Sequence, residues 1–393
     1  INESTPEIIM TITDNAGTEV TDITGLTHTS VTDAKGSTIS GYDITDKFGL
    51  ITLFNNREIT TTSSKEERWN IKVTFVNYDK NQSANAGKSM SAKVMIQKEV
   101  IPQVVSDVCT NGENLATCIT TLAGKSSASI TKIYHHDAKL TNGAGDSSYR
   151  YSGANPNNYV CFGSNESTCP TDNLYRIIGV FGNQVKLIKY DYATSALLGT
   201  DGDYASTGTP NASYYKGSLT TINTYYWNNS TQKNTWSESL LNKTNLNTNF
   251  INNIGTEWAN KIATTTWKVG GNTYANIRNV IPATAYQNEI VNPVTTNTTD
   301  NATEYSAKIG LMYVSDYGFG ADPSAWTTTL YNYDGSVNGS TIRSLNWMHM
   351  GYYDWTISRN ADNSGGAFRV YYDGYVHNYF VFNFIAVRPS FNL

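Results

Sequence analysis

The residues of this 393-residue chain that could do chemistry are four cysteines, five histidines and a scatter of carboxylates. The cysteines fall as two close pairs, Cys109/Cys118 and Cys161/Cys169, each enclosing a polar loop. Zinc favours C-x₂₋₄-C spacing and redox motifs are C-x-x-C. These wider loops fit two local disulfides made in an oxidising compartment better. His135-His136-Asp137 is the one histidine cluster; it lacks the helical or ribbon spacing of a metal site and reads as a solvated loop. Asp201-Gly202-Asp203 offers hard oxygen ligands, but a calcium loop needs more of them at ordered positions, so a Gly/Asp turn is the reading. Asp316, Asp322, Asp354 and Asp362 are candidates for a glycosidase pair, although nothing in their spacing demands convergence. No G-x-S-x-G elbow, H-E-x-x-H helix, P-loop or G-x-G-x-x-G turn occurs. No catalytic residue, metal site or cofactor is therefore read from the chain.

A different chemistry, recognition, is written into the end of the chain. Ala367–Val387 packs Phe368, Tyr371, Tyr372, Tyr375, Tyr379, Phe380, Phe382 and Phe384 among Arg369, Asp373, His377, Asn378 and Asn383. A core strand would more often use Val, Ile and Leu. Aromatic side chains mixed with Arg, Asn, His and Asp give contact area and directional hydrogen bonds at low entropic cost. About half of the aromatics belong to the core by ordinary burial preference, so the binding reading concerns the set.

The elements that must hold these residues follow from local pattern. Phe368–Tyr372 and Tyr375–His377 are β-favouring runs, and Asp373-Gly374 between them signals a two-residue hairpin loop. One continuous strand competes, because alternation runs unbroken from Arg369 to His377; the hairpin is preferred. Pro389 suits a strand end or edge. Tyr175–Phe181 and Gln184–Ile188 flank Gly182-Asn183 as a compact hairpin.

Residues 1–98 read as short strands, Glu7–Thr13, Leu50–Phe54, Trp69–Phe75 and Ser91–Gln97, separated by turn clusters, which points to an Ig-like β-sandwich serving as a stalk. Residues 99–103 form a linker marked by Pro102. Val104–Leu122 has the apolar spacing of a helix interrupted at Asn111-Gly112, and Trp236–Ile262 that of two helices broken around Asn245. Residues 136–158 and 292–303 read as loops, and Ala307–Val314 as a strand. The fold expected is mainly β with an α+β C-terminal domain over 104–393.

The tail A-F-R-V-Y-Y-D-G-Y-V … A-V-R-P-S-F resembles the end of a group of bacterial surface domains. These have the C-type-lectin-like fold shared with formylglycine-generating-enzyme-like domains and with the variable proteins of diversity-generating retroelements. Asn173–Phe181, Tyr225–Asn229, Ile309–Tyr317 and Trp355–Asn360 are similar to segments of exported proteins of gut Firmicutes. The resemblance covers residues 105–393. It implies a fixed frame of Ala367, Phe368, Gly374, Val376, Val387, Arg388 and Pro389. It also implies a changeable, ligand-binding set of Arg369, Tyr371, Asp373, Tyr375, His377, Tyr379, Phe380, Phe382, Asn383 and Phe384. Tyr371, Tyr375, Phe380 and Phe382 would supply stacking area, and Arg369, Asp373, His377 and Asn383 directional contacts. Formylglycine generation needs thiols in the C-terminal half, whereas all four cysteines precede residue 170. The E-P-N, Q-P-D and W-N-D calcium motifs of sugar-binding lectins are also missing.

Composition bounds the partners. Only 16% of residues are charged, the net charge is -5 and the pI is near 5.6, so there is no basic footprint and nucleic acid is excluded as the partner class. A mean hydropathy of -0.40 with 12% aromatics describes a folded, neutral-polar exported protein. No apolar run reaches the length of a membrane span. The chain starts at Ile1 rather than Met, which leaves room for a removed signal peptide or membrane anchor. The expectation is a non-enzymatic adhesin or receptor at the bacterial surface, contacting a host or bacterial protein or a glycan. A self-associating filament subunit is the first alternative and an extracellular hydrolase the second.

Overall fold

A computed structural model describes residues 5–23, 26–45, 53, 68–82, 114–293 apart from 167 and 212, and 303–393. The chain divides into two compact units, Ile1–Glu99 and Val100–Leu393. Its architecture is mainly β, built of antiparallel sheets.

In the first unit, β1 (Ile8–Thr13), β2 (His28–Thr32), β3 (Thr38–Asp43) and β4 (Asn70–Phe75) form one sheet in the order β2-β3-β1-β4. Alternation in β1 turns Ile8, Met10 and Ile12 onto Ile23, Tyr42 and Ile44, which is the core of this unit. Strands β2 and β3 lie in a stretch whose Thr and Ser content hides the strand pattern. They are joined by an Asx loop: Asp33 Oδ1 accepts from the N–H groups of Lys35 and Ser37, at 2.9 and 2.8 Å. A single four-stranded sheet is what the described residues contain. The expected strand Ser91–Gln97, the linker 99–103 and all of Leu50–Phe54 except Leu53 lie outside them.

The second unit is organised on a seven-stranded sheet. Its strands are β5 (Ile133–His135), β6 (Tyr149–Tyr151), β7 (Tyr159–Cys161), β8 (Leu174–Phe181), β9 (Gln184–Lys189), β14 (Ile309–Gly310) and β21 (Ser390–Asn392), in the order β14-β21-β9-β8-β6-β5 with β7 also on β8. Phe181 pairs with Gln184 across Gly182-Asn183, as expected of that hairpin. The last strand does not sit at an edge. β21 is paired on both sides, to β9 and β14, and Pro389 precedes it, where a missing N–H costs nothing. Phe391 thereby joins Phe162, Tyr175 and Phe250 in the core.

Smaller sheets complete the unit: β10 (Tyr204–Gly208), β11 (Ile222–Tyr226) and β20 (Phe384–Ile385); β12 (Thr265–Lys268) with β13 (Glu304–Ala307); β15 (Ser336–Val337) with β16 (Ser340–Thr341); and β17 (Asp354–Arg359), β18 (Gly366–Val370) and β19 (Val376–Phe380). Helices punctuate them at α1 (Leu115–Lys125), α2 (Leu241–Phe250, with wide π-type turns) and α3 (Val314–Gly320).

Several expectations are corrected. The helix expected over Val104–Leu122 is described only from its cap onward, where Asn114 Oδ1 accepts from Ala116 and Thr117 N–H, and it runs on to Lys125. Asn245 does not break a helix. It is buried inside α2, where its amide donates to the carbonyls of Leu198 and Asp201 and accepts from Asp203 N–H. The helical run instead ends near Gly255, before Thr256–Ala259. The loop expected over 136–158 contains β6. Ala307–Val314 is not one strand: Ile309–Gly310 is β14, and Val314 opens α3, whose first turn is capped by the Asp316 carboxylate accepting from Tyr313 N–H at 2.9 Å. Most of residues 292–303 lie outside the described part.

Candidate functional site

β18 and β19 form the expected hairpin, with a different loop from the one anticipated. Tyr371 N–H donates to the Tyr375 carbonyl (2.8 Å) and Gly374 N–H to the Tyr371 carbonyl (3.0 Å). The loop is therefore the three residues Tyr372-Asp373-Gly374. Gly374, at φ 114°, occupies the one position a side chain would strain, and an added Cβ would also press on the Tyr333 carbonyl at 3.2 Å. Pairing Arg369 with His377 and Ala367 with Tyr379 sets register. Phe368, Val370 and Val376 turn into the core. All seven positions of the resemblance frame are buried.

On the other side of the hairpin the rings form an unbroken path. Tyr274 meets His377 (5.5 Å between centroids), His377 meets Tyr375 (6.0 Å), and Tyr375 stacks on Tyr371 (4.6 Å). Tyr371 then meets Tyr372 (4.9 Å), and Tyr372 meets Tyr214 (5.2 Å). Tyr331 flanks the path at Tyr375 and His377, and Tyr353 at Tyr371 and Tyr372. Arg278 lies over Tyr274 and Tyr331, and Arg343 over Tyr214. These rings are half-buried, so each shows an edge or face to solvent while its body is fixed.

Of the residues named from sequence, Tyr371, Tyr375 and His377 stand in this path. Asp373 sits in the hairpin loop. Arg369 does not present a contact group: it is buried, with its guanidinium 3.4 Å from the Tyr379 centroid and 4.7 Å from those of Tyr353 and Tyr371. It supports the rings from below, and Tyr379 shares that role. Phe380 and Phe382 stack on one another at 5.2 Å, Phe384 packs against Tyr226, and all three are 38–50% exposed. Asn383 donates its N–H to the Phe380 carbonyl in the turn between them. Sequence reading missed Tyr214, Tyr274, Tyr331, Tyr353, Arg278 and Arg343. Their signal was a tyrosine or arginine in an otherwise polar stretch without core periodicity.

A cleft lies at each end of the path. At Tyr274 an open cleft of about 310 Å³ is lined by Asn360, Asp362, Asn363 and Asn378. Asn360 donates to Asn378 Oδ1 (3.0 Å), and Asp362 Oδ1 accepts from Tyr274 N–H (3.0 Å), so the amides hold one another in place. Buried Asn234 fixes the same loop by donating to the carbonyls of Asn360, Asn363 and Gly366. At Tyr214 a smaller cleft of about 120 Å³ is lined by Ser213, Lys216, Arg343, Ser344 and His349.

The other chemistry-bearing residues are engaged structurally. Cys161 and Cys169 form a disulfide. Cys118 is disulfide-bonded, whereas Cys109 lies outside the described residues. His136 is not in a solvated loop: it is buried edge-on to Phe319, its Nδ1 accepts from Ala144 N–H, and burial with Arg150 nearby drives it down to about 2. Asp203 is buried and accepts from the N–H groups of Asn229 and Leu241. Asp316 lies between Lys186 (2.5 Å) and Arg150 (3.5 Å), and Asp354 pairs with Arg388. Asp322 caps Ser324, so Asp316, Asp322, Asp354 and Asp362 each serve a different structural partner. Among the described residues no group of three His, Cys, Asp or Glu is placed to hold a metal, and no helix is long and apolar enough to cross a membrane. No protein-family model, curated protein or solved structure matches the chain.

Proposed function

We propose that this chain is a ligand-binding protein of the bacterial cell surface, with an N-terminal Ig-like stalk and a C-type-lectin-like domain that recognises a glycan or protein through its C-terminal face. The ring path from Tyr274 to Tyr214 carries this reading. It sets six rings and two guanidinium groups side by side, four of the rings on a hairpin whose other face is locked in the core and Tyr214 and Tyr274 brought to its ends from other segments. Tyrosine presented this way supplies wide, amphipathic contact at little entropic cost, as in antibody loops. The test is a glycan-array and host-protein screen comparing wild type with Tyr375→Ala/His377→Ala. Binding lost in a variant with unchanged near-UV circular dichroism supports the reading. Binding unaffected by the pair moves the site elsewhere.

The filament alternative keeps one favouring observation, the exposed group Phe380, Phe382 and Phe384. Light scattering separates the two: chains or fibres that grow with concentration favour a filament subunit, and a concentration-independent monomer favours the receptor.

A further inference from the structure

The smaller cleft is built rather than incidental. Its floor is His349, which is 1% exposed. His349 Nε2 lies 2.8 Å from the Tyr372 carbonyl, which can only accept, so Nε2 carries the ring hydrogen. Nδ1 is then an acceptor, and it is buried with no hydrogen-bond partner. Burial and the nearby cations Lys216, Arg343 and Arg388 push the ring down to about 3, so it is neutral.

The wall is cationic. Lys216 Nζ donates to the Arg343 carbonyl at 3.0 Å, and the Arg343 guanidinium lies 5.1 Å from the Tyr214 centroid. Among the described residues neither cation has a carboxylate within ion-pair distance. The segment that bears Tyr214 and Lys216 is held there by Lys216 N–H donating to the Met350 carbonyl. It approaches so closely that a Cβ on Gly351, at φ 84°, would meet the Tyr214 carbonyl at 1.7 Å. Only glycine allows that approach.

The cleft thus offers two cations, of which Arg343 also feels the Asp373 carboxylate, the Ser213 hydroxyl (that of Ser344 already donates to the Thr341 carbonyl), and one buried acceptor awaiting a donor. An oxyanion satisfies the cations, and a hydroxyl next to it satisfies Nδ1. About 120 Å³ admits one such group rather than a whole ligand. Its rim is Tyr214, the last ring of the path, on which a sugar face can lie. We infer that this cleft is a subsite for the carboxylate of an acidic sugar, with the carboxylate on Lys216 and Arg343 and a neighbouring hydroxyl donating to His349 Nδ1. This inference rests on the binding reading above and narrows its ligand class to glycans carrying an acidic residue.

The test uses the full chain and the probes D-glucuronate, D-glucose and inorganic phosphate, followed by ¹⁵N signals of the His349 ring. Glucuronate is expected to shift Nδ1 saturably, glucose not to, and Lys216→Met/Arg343→Met to weaken the effect by roughly tenfold or more. Lys216→Glu, at an exposed position, is a second variant that should abolish it without loss of fold. Absence of a saturable glucuronate shift, equal shifts with glucose, or tighter binding of phosphate than of glucuronate each overturns the inference. A wild type that binds glucuronate here yet captures nothing on glycan or protein arrays removes the receptor reading and leaves the subsite standing.

Discussion

Arg388 Nε donates to Asp354 Oδ2 at 2.6 Å, with both side chains only 2% exposed. The pair ties the segment before β21 to the start of β17, and Arg388 also donates to the Met348 carbonyl at 2.6 Å. Removing one partner leaves the other buried and uncompensated. Arg388→Met is expected to lower unfolding free energy by about 3 kcal/mol in urea titration. A loss below about 1 kcal/mol would show that the pair is dispensable.

The buried acids and histidines give stability opposing pH dependences. Burial pushes Glu289 up to about 7, against hydrogen bonds from Ser358 and Ser315, and Asp354 up to about 6 despite Arg388. Between their ordinary values and these, the folded state holds more protons than the unfolded one. Their contribution therefore falls as pH rises through that window. His136 and His349, held at about 2 and about 3, do the reverse: the unfolded state takes up protons below 6.5 and stability falls with them. Glu289→Gln removes one acid, so its stability relative to wild type should improve between pH 5 and pH 8 by on the order of 2 kcal/mol. Equal differences at the two pH values would contradict the buried, proton-holding role.

Arg369 and His377 are partners across one ladder with different expected roles. Arg369→Met removes the cation beneath three rings and should cost about 1–2 kcal/mol of stability. His377→Ala, on the half-buried side, should stay within about 1 kcal/mol of wild type by thermal denaturation. The reverse order would mean that Arg369 is not the packing element beneath the rings.

Cys161 and Cys169 close a short loop between β7 and β8. Reduction should lower stability by roughly 2–3 kcal/mol. Alkylating the denatured protein before and after reductant, then weighing it, should show added label only after reduction.

How much of this was legible beforehand depended on whether a feature is local. Gly182-Asn183 between two apolar runs sufficed to place that turn, and Asp373-Gly374 located the terminal hairpin but not its third loop residue, Tyr372. The resemblance frame, in which Ala367 and Phe368, and Val387, Arg388 and Pro389, are consecutive yet all buried, has no such local signal. Asn245 misled because asparagine in a chain this polar reads as a breaker. Its amide instead replaces backbone hydrogen bonds between distant segments, as Asn234 does for the loop at 360–366. The resemblance groups Arg369 with the contact residues, whereas the ring of Tyr379 at 3.4 Å, which covers it, comes from packing that no local pattern shows. Tyr214, Tyr274 and His349 reach the site from well outside the terminal stretch, and no spacing announces that.

The path of rings is not symmetric. It begins at Tyr274 among amides, the Asp362 carboxylate and the Arg278 guanidinium, whose charges offset one another, and finishes at Tyr214 beside two cations, Lys216 and Arg343. A chain molecule lying along it has a head and a tail, and turning it round would set each end against the wrong chemistry. Under the glycan-binding role proposed above, two oligosaccharides of identical composition but opposite sequence would be different ligands for this face, told apart by polarity before any single sugar is inspected.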